Sequence, residues 1–281
     1  MTIQTMTDVQ TLKKYQIAVL GIPFDDNSSF LRGPAGGPAE IRKQLHCGSA
    51  NYFAEDGTNI DGGQVIDIGD VDFRGDADWL KTIENRALQA IDQEARLLTL
   101  GGDHSITWPL VRAHAKRYEK LTILQIDAHP DLYDELDGNR HAHACPFARI
   151  MEEGLVDRLV QIGIRTLNNH QSEQAERFGV EIIEMKDWSA CKLPEVEGPL
   201  YLTLDLDGLD PAYAPGVSHH EPGGFSAREV INIIQNLPPV LVGADIVELN
   251  PVRDHHGMTA MVGAKLLREA AAKLSESIPM A

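Results

Sequence analysis

The sequence predicts an α/β fold in which a mostly parallel sheet of eight strands is covered by helices on both faces. Eight short apolar segments alternate along the chain with stretches of helical periodicity, the pattern typical of parallel sheets. Hydrophobic residues make up 43% of the 281 residues, which is ample for one buried core. Because no internal repeat, linker or low-complexity tract interrupts the pattern, residues 1–281 are predicted to form one domain with a short polar segment at 1–15.

The predicted strands are apolar runs that end in turn-forming or acidic residues. They lie at residues 16–22, 64–68, 96–101, 121–127, 160–164, 180–183, 200–205 and 240–247. Helical patterns occupy residues 38–45, 77–95, 108–118, 171–178, 226–237 and 259–277, and Phe147, Ile150 and Met151 indicate a further helix. The loop at 21–37 is rich in glycine and proline but fits no nucleotide-binding pattern. We interpret it as a wall of the active site, with Asn27 and Ser28 as candidate substrate contacts.

Acidic and imidazole side chains follow three of the predicted strands. These residues are Asp103 and His104, then Asp127, His129 and Asp131, and finally Asp205, Asp207 and Asp210. Alternate residues of an extended strand share a face, so Asp127, His129 and Asp131 can converge on one point. Because the carboxyl ends of parallel strands form the ligand crevice of α/β sheets, all three groups could face one site.

A site of this composition favours divalent metal ions. Carboxylates a few ångströms apart cannot all stay ionised without a counter-charge, and a divalent cation removes that penalty. Carboxylate and imidazole ligands without thiolate suit Mn, Fe, Zn or Ni, and carboxylates that bridge favour two ions. The alternative, that these motifs are solvated loops and turns, is disfavoured because they follow three separate strands. Asp70 and Asp72 lack a neighbouring histidine, so we interpret them as part of a polar turn.

Charge and cysteine content narrow the class of protein. A net charge of −17 opposes binding to nucleic acid or anionic lipid and suits a small cationic substrate, although solubility alone could also explain it. No apolar run approaches the roughly 18 residues that a membrane span needs.

Cys47, Cys145 and Cys191 are odd in number and far apart, which argues against a disulfide framework. Since residues 1–15 resemble neither a secretory signal nor a transit peptide, the predicted location is cytoplasmic.

The segments GGDHS, DAHPD and LDLDGLDP resemble the three signature motifs of the ureohydrolases, the arginase and agmatinase family. The segments NSSFLRGPAGGP, HAHACPFARIMEEG, PGVSHHEPGGFS and GMTAMVGAKLL are most similar to the branch that holds plant-type arginases and bacterial agmatinase-like proteins. The resemblance implies a three-layer α/β/α domain around an eight-stranded parallel sheet. It also implies a homo-oligomer, either a trimer or a hexamer.

The resemblance further implies two Mn²⁺ ions per subunit, with Ni²⁺ or Fe²⁺ as alternatives. The ligands of one ion would be His104, Asp127, Asp131 and Asp205, and those of the other Asp127, His129, Asp205 and Asp207. Asp127 and Asp205 would therefore bridge the two ions. The resemblance implies that Asp131 is a catalytic residue as well as a metal ligand.

Other positions are assigned by the same resemblance. Glu221 would bind the guanidinium group of a substrate, and His143 would shuttle protons, although Ala144 follows it where family members usually have glycine. His141 is the alternative proton shuttle. Asp210 is expected to fix its own loop by hydrogen bonds rather than to bind metal, and His219 is a candidate for the substrate pocket.

The implied activity is hydrolysis of a guanidino compound to urea and an amine. Agmatine, which would give putrescine, is the preferred substrate because the acidic sequence shows no obvious cluster of cations for the α-carboxylate of L-arginine. The alternative is L-arginine, which would give L-ornithine. Another guanidino acid, or a non-catalytic metal-binding relative, is less favoured, since the ligand positions are all intact.

Overall fold

The computed structural model describes residues 3–5, 8–74, 78–188 and 193–277, and its centre is a parallel sheet of nine strands. The strands are β1 (Gln4–Thr5), β2 (Ile17–Ile22), β3 (Val65–Asp70), β4 (Arg96–Gly101), β5 (Thr122–Ile126), β6 (Arg158–Ile164), β7 (Glu181–Glu184), β8 (Leu200–Asp205) and β9 (Leu241–Val247). Their order across the sheet is β1-β3-β2-β4-β9-β8-β5-β6-β7, and every pairing is parallel.

The sheet has one strand more than the sequence predicts. The additional strand is β1, which consists of two exposed residues and pairs with β3 through Gln4↔Ile66 and Thr5↔Asp67. Its polar residues lie within the segment 1–15 and carry no apolar pattern. Backbone pairing at the edge of the sheet, rather than burial of side chains, therefore defines this strand.

The helices match the predicted segments, with ends that shift by a few residues. They are α1 (Gly37–Leu45), α2 (Trp79–Ile91), α3 (Thr107–Ala115), α4 (Pro146–Glu152), α5 (Asn169–Phe178), α6 (Ala227–Asn236) and α7 (Met258–Glu276). Local capping fixes several of these ends. Ser226 and Glu229 form a reciprocal capping box at the start of α6, and Gly179 ends α5 with a left-handed backbone (φ 67°).

The helices form one layer on each face of the sheet. On one face α1, α6 and α7 bury residues such as Ile41 and Ile234, and on the other α2, α3, α4 and α5 bury residues such as Val111. Alternation along β8 serves both layers, since Leu202 lies in the first apolar core and Tyr201 in the second. The three-layer prediction is confirmed. Within the described residues, no helix is long and apolar enough to cross a membrane.

The middle of the sheet determines where a site can form. Strands β4, β9, β8 and β5 are neighbours, and acidic or imidazole residues follow the carboxyl end of each. After β4 the backbone passes so close to the β2 loop that a Cβ on Gly102 would lie 2.3 Å from the carbonyl oxygen of Phe24. This close approach brings the loop after β2 to the same edge.

Candidate active site

The first group of potential metal ligands surrounds His104, which is fully buried at the end of β4. Its Nδ1 atom lies 3.1 Å from Asp127 Oδ2, 3.0 Å from Asp131 Oδ2 and 3.2 Å from Asp205 Oδ2. The directions are unsuitable for hydrogen bonding, so Nδ1 is a buried polar atom without a hydrogen-bond partner. An imidazole nitrogen left in this way among carboxylate oxygens fits a metal ligand.

The second group shares Asp127 with the first. His129 Nδ1 lies 3.0 Å from Asp207 Oδ2 and 3.6 Å from Asp127 Oδ1, so the two oxygens of Asp127 face different groups. Within each group the candidate ligand atoms lie within 4.8 Å of one another, for His104, Asp127 and Asp131 and for Asp127, His129 and Asp207. The structure thus brings the six predicted ligand residues together, with Asp127 between the two groups.

The electrostatics of this cluster require a counter-charge. Burial and the nearby charges of Asp207 and Asp127 raise the pKa of Asp205 well above its usual value. The pKa of Asp131 is raised by burial and by the charge of Asp127. Divalent cations would allow these carboxylates to remain ionised. The set of oxygen and nitrogen donors therefore fits a binuclear site for divalent metal ions.

A cavity of about 220 Å³ lies against the ligand cluster. Its lining residues are Ser29, His129, Asp131, Tyr133, Leu136, His143, Ala144, Thr166, Gln171, Asp205, Asp207, His219 and Glu248. A guanidino compound in this cavity would lie directly beside the potential metal ions. The cavity is therefore the candidate substrate site.

The structure separates the two candidate proton shuttles. His143 lines the cavity, where its Nδ1 atom lies 2.7 Å from Glu248 Oε1 and its Nε2 atom 2.8 Å from Ser29 Oγ. His141 is exposed outside the cavity, and its ring packs against the rings of Trp79 and Trp108. The geometry therefore favours His143 over His141.

The role predicted for Glu221 is not supported by the geometry. Glu221 is absent from the cavity lining, and its backbone carbonyl accepts hydrogen bonds from Arg165 at 2.9 and 2.6 Å. Besides the predicted metal ligands, the buried carboxylate in the described cavity lining is Glu248, which directly follows β9. Its Oε1 atom accepts a hydrogen bond from the His104 backbone N–H at 2.8 Å and also contacts His143. A sequence signal existed, because Glu248 follows a strand end in the same manner as the metal-ligand acids.

Asn27 is buried and is absent from the described cavity lining, so the geometry does not support its prediction as a substrate contact. Its side-chain amide donates a hydrogen bond to Ser105 Oγ at 3.0 Å. Its backbone carbonyl oxygen accepts a hydrogen bond from the backbone N–H of His143 at 3.0 Å. Ser28 donates to Asp103 Oδ2 at 3.3 Å. The residue of this loop that reaches the cavity is Ser29, which the sequence interpretation did not select. Asn27 thus holds the His143 backbone in place.

His219 lines the cavity, as the sequence suggested. The centroid of its ring lies 5.7 Å from that of His129 and 5.3 Å from that of His143. Asp210 accepts hydrogen bonds from the backbone N–H groups of Ala212 and Gly223 at 2.9 and 2.7 Å, as expected for a loop-fixing residue.

The remaining acidic pair and cysteines do not contribute to the site. Asp70 is the last residue of β3 and forms an ion pair with Arg42, whereas Asp72 follows the strand and forms an ion pair with Arg74. Cys47 and Cys145 are free thiols. Cys191 lies outside the described residues.

Comparison with known proteins places these features in a family. The arginase family model matches residues 15–272. The protein "Arginase 1, mitochondrial" of Arabidopsis thaliana is 47% identical, with 94% of this chain and 82% of that protein covered. The agmatinase of Bacillus anthracis is 32% identical, with 92% of each chain covered. The solved structure of an arginase from Medicago truncatula superposes with a TM-score of 0.85 and 42% identity, covering 92% of this chain and 87% of that one.

The comparison also contradicts the predicted cytoplasmic location. Relatives at 45–47% identity from Arabidopsis thaliana, Oryza sativa and Medicago truncatula are named mitochondrial or chloroplastic/mitochondrial. These names contradict the cytoplasmic location that was predicted from residues 1–15. The family match over most of the chain agrees with the ligand cluster and its cavity. The chain therefore belongs to the arginase family of ureohydrolases and is a hydrolase that acts on guanidino compounds.

Proposed function

We propose that the protein is a manganese-dependent arginase that hydrolyses L-arginine to L-ornithine and urea. The observation that carries the reaction class is the pair of metal-ligand groups that opens onto the cavity lined by His143 and Glu248. The substrate is proposed from the relatives, because plant proteins named arginase are 44–47% identical and the agmatinase of Bacillus anthracis is 32% identical. Similarity thus favours L-arginine, the alternative in the sequence interpretation, over agmatine.

Glu248 is proposed to bind the guanidinium group. Although burial raises the pKa of Glu248, the charge of His143 and two hydrogen bonds outweigh it and lower that pKa. The carboxylate is therefore ionised at neutral pH. Among the described residues Oε2 makes no hydrogen bond, which leaves one oxygen of the cavity wall available to a cationic substrate.

His143 is proposed to donate a proton to the leaving nitrogen. Two bound divalent ions would supply a nucleophile by lowering the pKa of water. When water has added to the guanidinium carbon, the bond to the substrate's amine nitrogen breaks, and that nitrogen takes up a proton. Burial lowers the pKa of His143, but the charge and hydrogen bond of Glu248, together with the charges of Asp103 and Asp131, outweigh burial and raise it to about 9. The imidazole therefore carries a proton at neutral pH.

The end of the cavity away from metal is proposed to bind the α-substituents of L-arginine. Gln171 lines the cavity, is 3% exposed, and its Oε1 atom has no hydrogen-bond partner. A buried carbonyl oxygen without a donor fits an ammonium group. Neutral side chains, Tyr133 and Thr166, line the same cavity, and its described lining contains no lysine or arginine. This lack of a cation keeps agmatine, which has no carboxylate, as the second candidate.

Steady-state kinetics with L-arginine, agmatine and guanidinobutyrate will test the substrate. We expect the highest kcat/KM with L-arginine in manganese-loaded protein. Gln171→Leu should lower kcat/KM for L-arginine by roughly tenfold to a hundredfold, because hydrogen bonds to charged groups contribute about 1.5–3 kcal/mol. Agmatine lacks the α-carboxylate but keeps the corresponding ammonium, so its kcat/KM should fall by a similar factor. Guanidinobutyrate has no ammonium group, so its hydrolysis should change little.

The matched control is Gln174→Leu, since Gln174 is a buried glutamine of α5 outside the cavity. This variant should retain the kcat/KM values of the wild-type protein for L-arginine, agmatine and guanidinobutyrate. A wild-type preference for agmatine would contradict the proposed substrate. An equal loss in the Gln171 and Gln174 variants would show that α5 had been disturbed and that Gln171 does not bind the α-ammonium.

Removal of the metal should abolish hydrolysis and leave the fold intact. The two apolar cores on the faces of the sheet are built from side chains other than the ligands, so we expect folding not to depend on the ions. Bound metal then raises the melting temperature only through its preferential binding to the folded protein. Far-UV circular dichroism before and after chelation measures whether the fold is retained. Loss of the folded spectrum at room temperature would contradict the prediction.

A further inference from the structure

Asp245 is a buried carboxylate beneath the metal-ligand cluster, in the centre of β9. It is 0% exposed, and none of the ion pairs formed by the described residues includes it. A carboxylate in such a position is costly unless hydrogen-bond donors surround it. We therefore expect hydrogen-bond donors around the Asp245 carboxylate.

Three hydroxyl groups surround the Asp245 carboxylate. Thr203 Oγ1 donates to Oδ1 at 2.6 Å, Tyr201 OH donates to Oδ2 at 2.7 Å, and Thr107 Oγ1 donates to Oδ2 at 2.9 Å. Thr203 lies directly opposite Asp245 in the pairing of β8 with β9. Two of the donors thus come from the neighbouring strand, and the third comes from the start of α3.

One of these hydroxyl groups also contacts a predicted metal ligand. Thr203 Oγ1 lies 2.8 Å from His104 Nε2, and both side chains are fully buried. A hydroxyl group has a single hydrogen. When that hydrogen is donated to Asp245, the Thr203 oxygen can only accept from His104, so Nε2 must carry the proton of a neutral imidazole.

The opposite side of the His104 ring agrees with this tautomer. Nδ1 lies among three carboxylate oxygens yet has no hydrogen-bond partner, so a proton placed there would find no well-directed acceptor. A lone pair on Nδ1 is what a metal ion requires. The contacts on both sides of the ring therefore select the same tautomer.

We propose that Asp245 is a positioning residue that, through Thr203, holds His104 in the Nε2–H tautomer and directs the Nδ1 lone pair toward the metal. The inference rests on the binuclear metal site and does not depend on which guanidino compound is hydrolysed. Partners of metal-bound histidines typically contribute about 10–100-fold to metal affinity or activity. The effect should therefore appear in metal binding itself.

The first variant is Asp245→Asn. When its amide nitrogen replaces Oδ1, it donates to Thr203, whose hydrogen then turns toward His104 Nε2 and forces the proton onto Nδ1. Thr203→Val removes the link whichever way the amide faces. Manganese-loaded protein is equilibrated with graded concentrations of chelator, and bound manganese per chain is measured by elemental analysis. We expect one ion to be lost at a free Mn²⁺ concentration about 10–100-fold higher than in the wild-type protein.

The matched control is Tyr201→Phe, which removes one donor to Asp245 and leaves the link from Asp245 through Thr203 to His104 intact. It should bind manganese as the wild-type protein does. Thr203→Val should weaken one ion as Asp245→Asn does, whereas Thr203→Ser, which keeps the hydroxyl, should restore binding. These two variants provide the test if Asp245→Asn does not fold.

Unchanged manganese affinity in both folded Asp245→Asn and Thr203→Val would overturn the proposal. The same holds if Tyr201→Phe weakens binding as much as Asp245→Asn, because the loss would then reflect general disturbance of the core. If Asp245→Asn does not fold, unchanged affinity in Thr203→Val overturns the proposal. The arginase proposal is tested separately by the substrate kinetics, so either idea can fail alone.

Discussion

Replacing Asp127 with asparagine is expected to abolish hydrolysis and to weaken the binding of both metal ions. The two oxygens of Asp127 face different ligand groups, so one lost charge affects both. Residues that only hydrogen-bond to metal ligands already contribute about 10–100-fold to metal affinity. We expect a ligand shared by both ions to contribute at least as much to each site. Elemental analysis after equilibration with a metal buffer measures the ions, and urea release measures the activity.

Asp207→Asn is the matched control for this prediction. It makes the same chemical change, but Asp207 belongs only to the group that includes His129. One ion should therefore be lost first, while the other stays bound. If Asp127→Asn retained two tightly held ions and near-normal turnover, the binuclear assignment would be wrong.

Glu248→Gln is expected to lower kcat/KM by roughly tenfold to a hundredfold or more, because a neutral amide replaces a charged acceptor worth about 1.5–3 kcal/mol opposite a cation. His143 also loses its charged partner, which is 2.7 Å away. The loss should be similar for L-arginine and agmatine, since both carry the same guanidinium group. Steady-state kinetics with both substrates, together with a metal count showing two ions, provides the measurement.

Glu221→Gln separates the structural proposal from the sequence-based one. Glu221 lies outside the cavity lining, so this variant should hydrolyse both substrates nearly as the wild-type protein does. A loss equal to that of Glu248→Gln would support the role for Glu221 predicted from the resemblance. A loss confined to L-arginine in Glu248→Gln would place Glu248 at the other end of the cavity.

The sequence alone predicted the fold class and the residues that the structure brings together in the candidate metal cluster. Strands buried on both faces are continuous apolar runs, so their ends were visible, and each acidic cluster begins within a few residues of such an end. Because parallel strands place their carboxyl ends at one edge, the order of residues along the chain was enough to bring His104, Asp127 and Asp205 together. Strand β1 was missed because main-chain pairing needs no apolar pattern.

Only the tertiary structure decided which residues line the cavity. Glu248 directly follows β9 and Glu221 lies well beyond the end of β8, but the sequence does not show which of the two faces the cavity. His141 and His143 are only two residues apart, so local sequence could not separate them either. What separates them is the order of the sheet, which inserts β9 between β4 and β8 and thereby places Glu248 beside His104 and His143. The same insertion places Asp245 beneath Thr203. Contacts between strands far apart in the chain leave no periodic signal, because they depend on the order in which the strands pair.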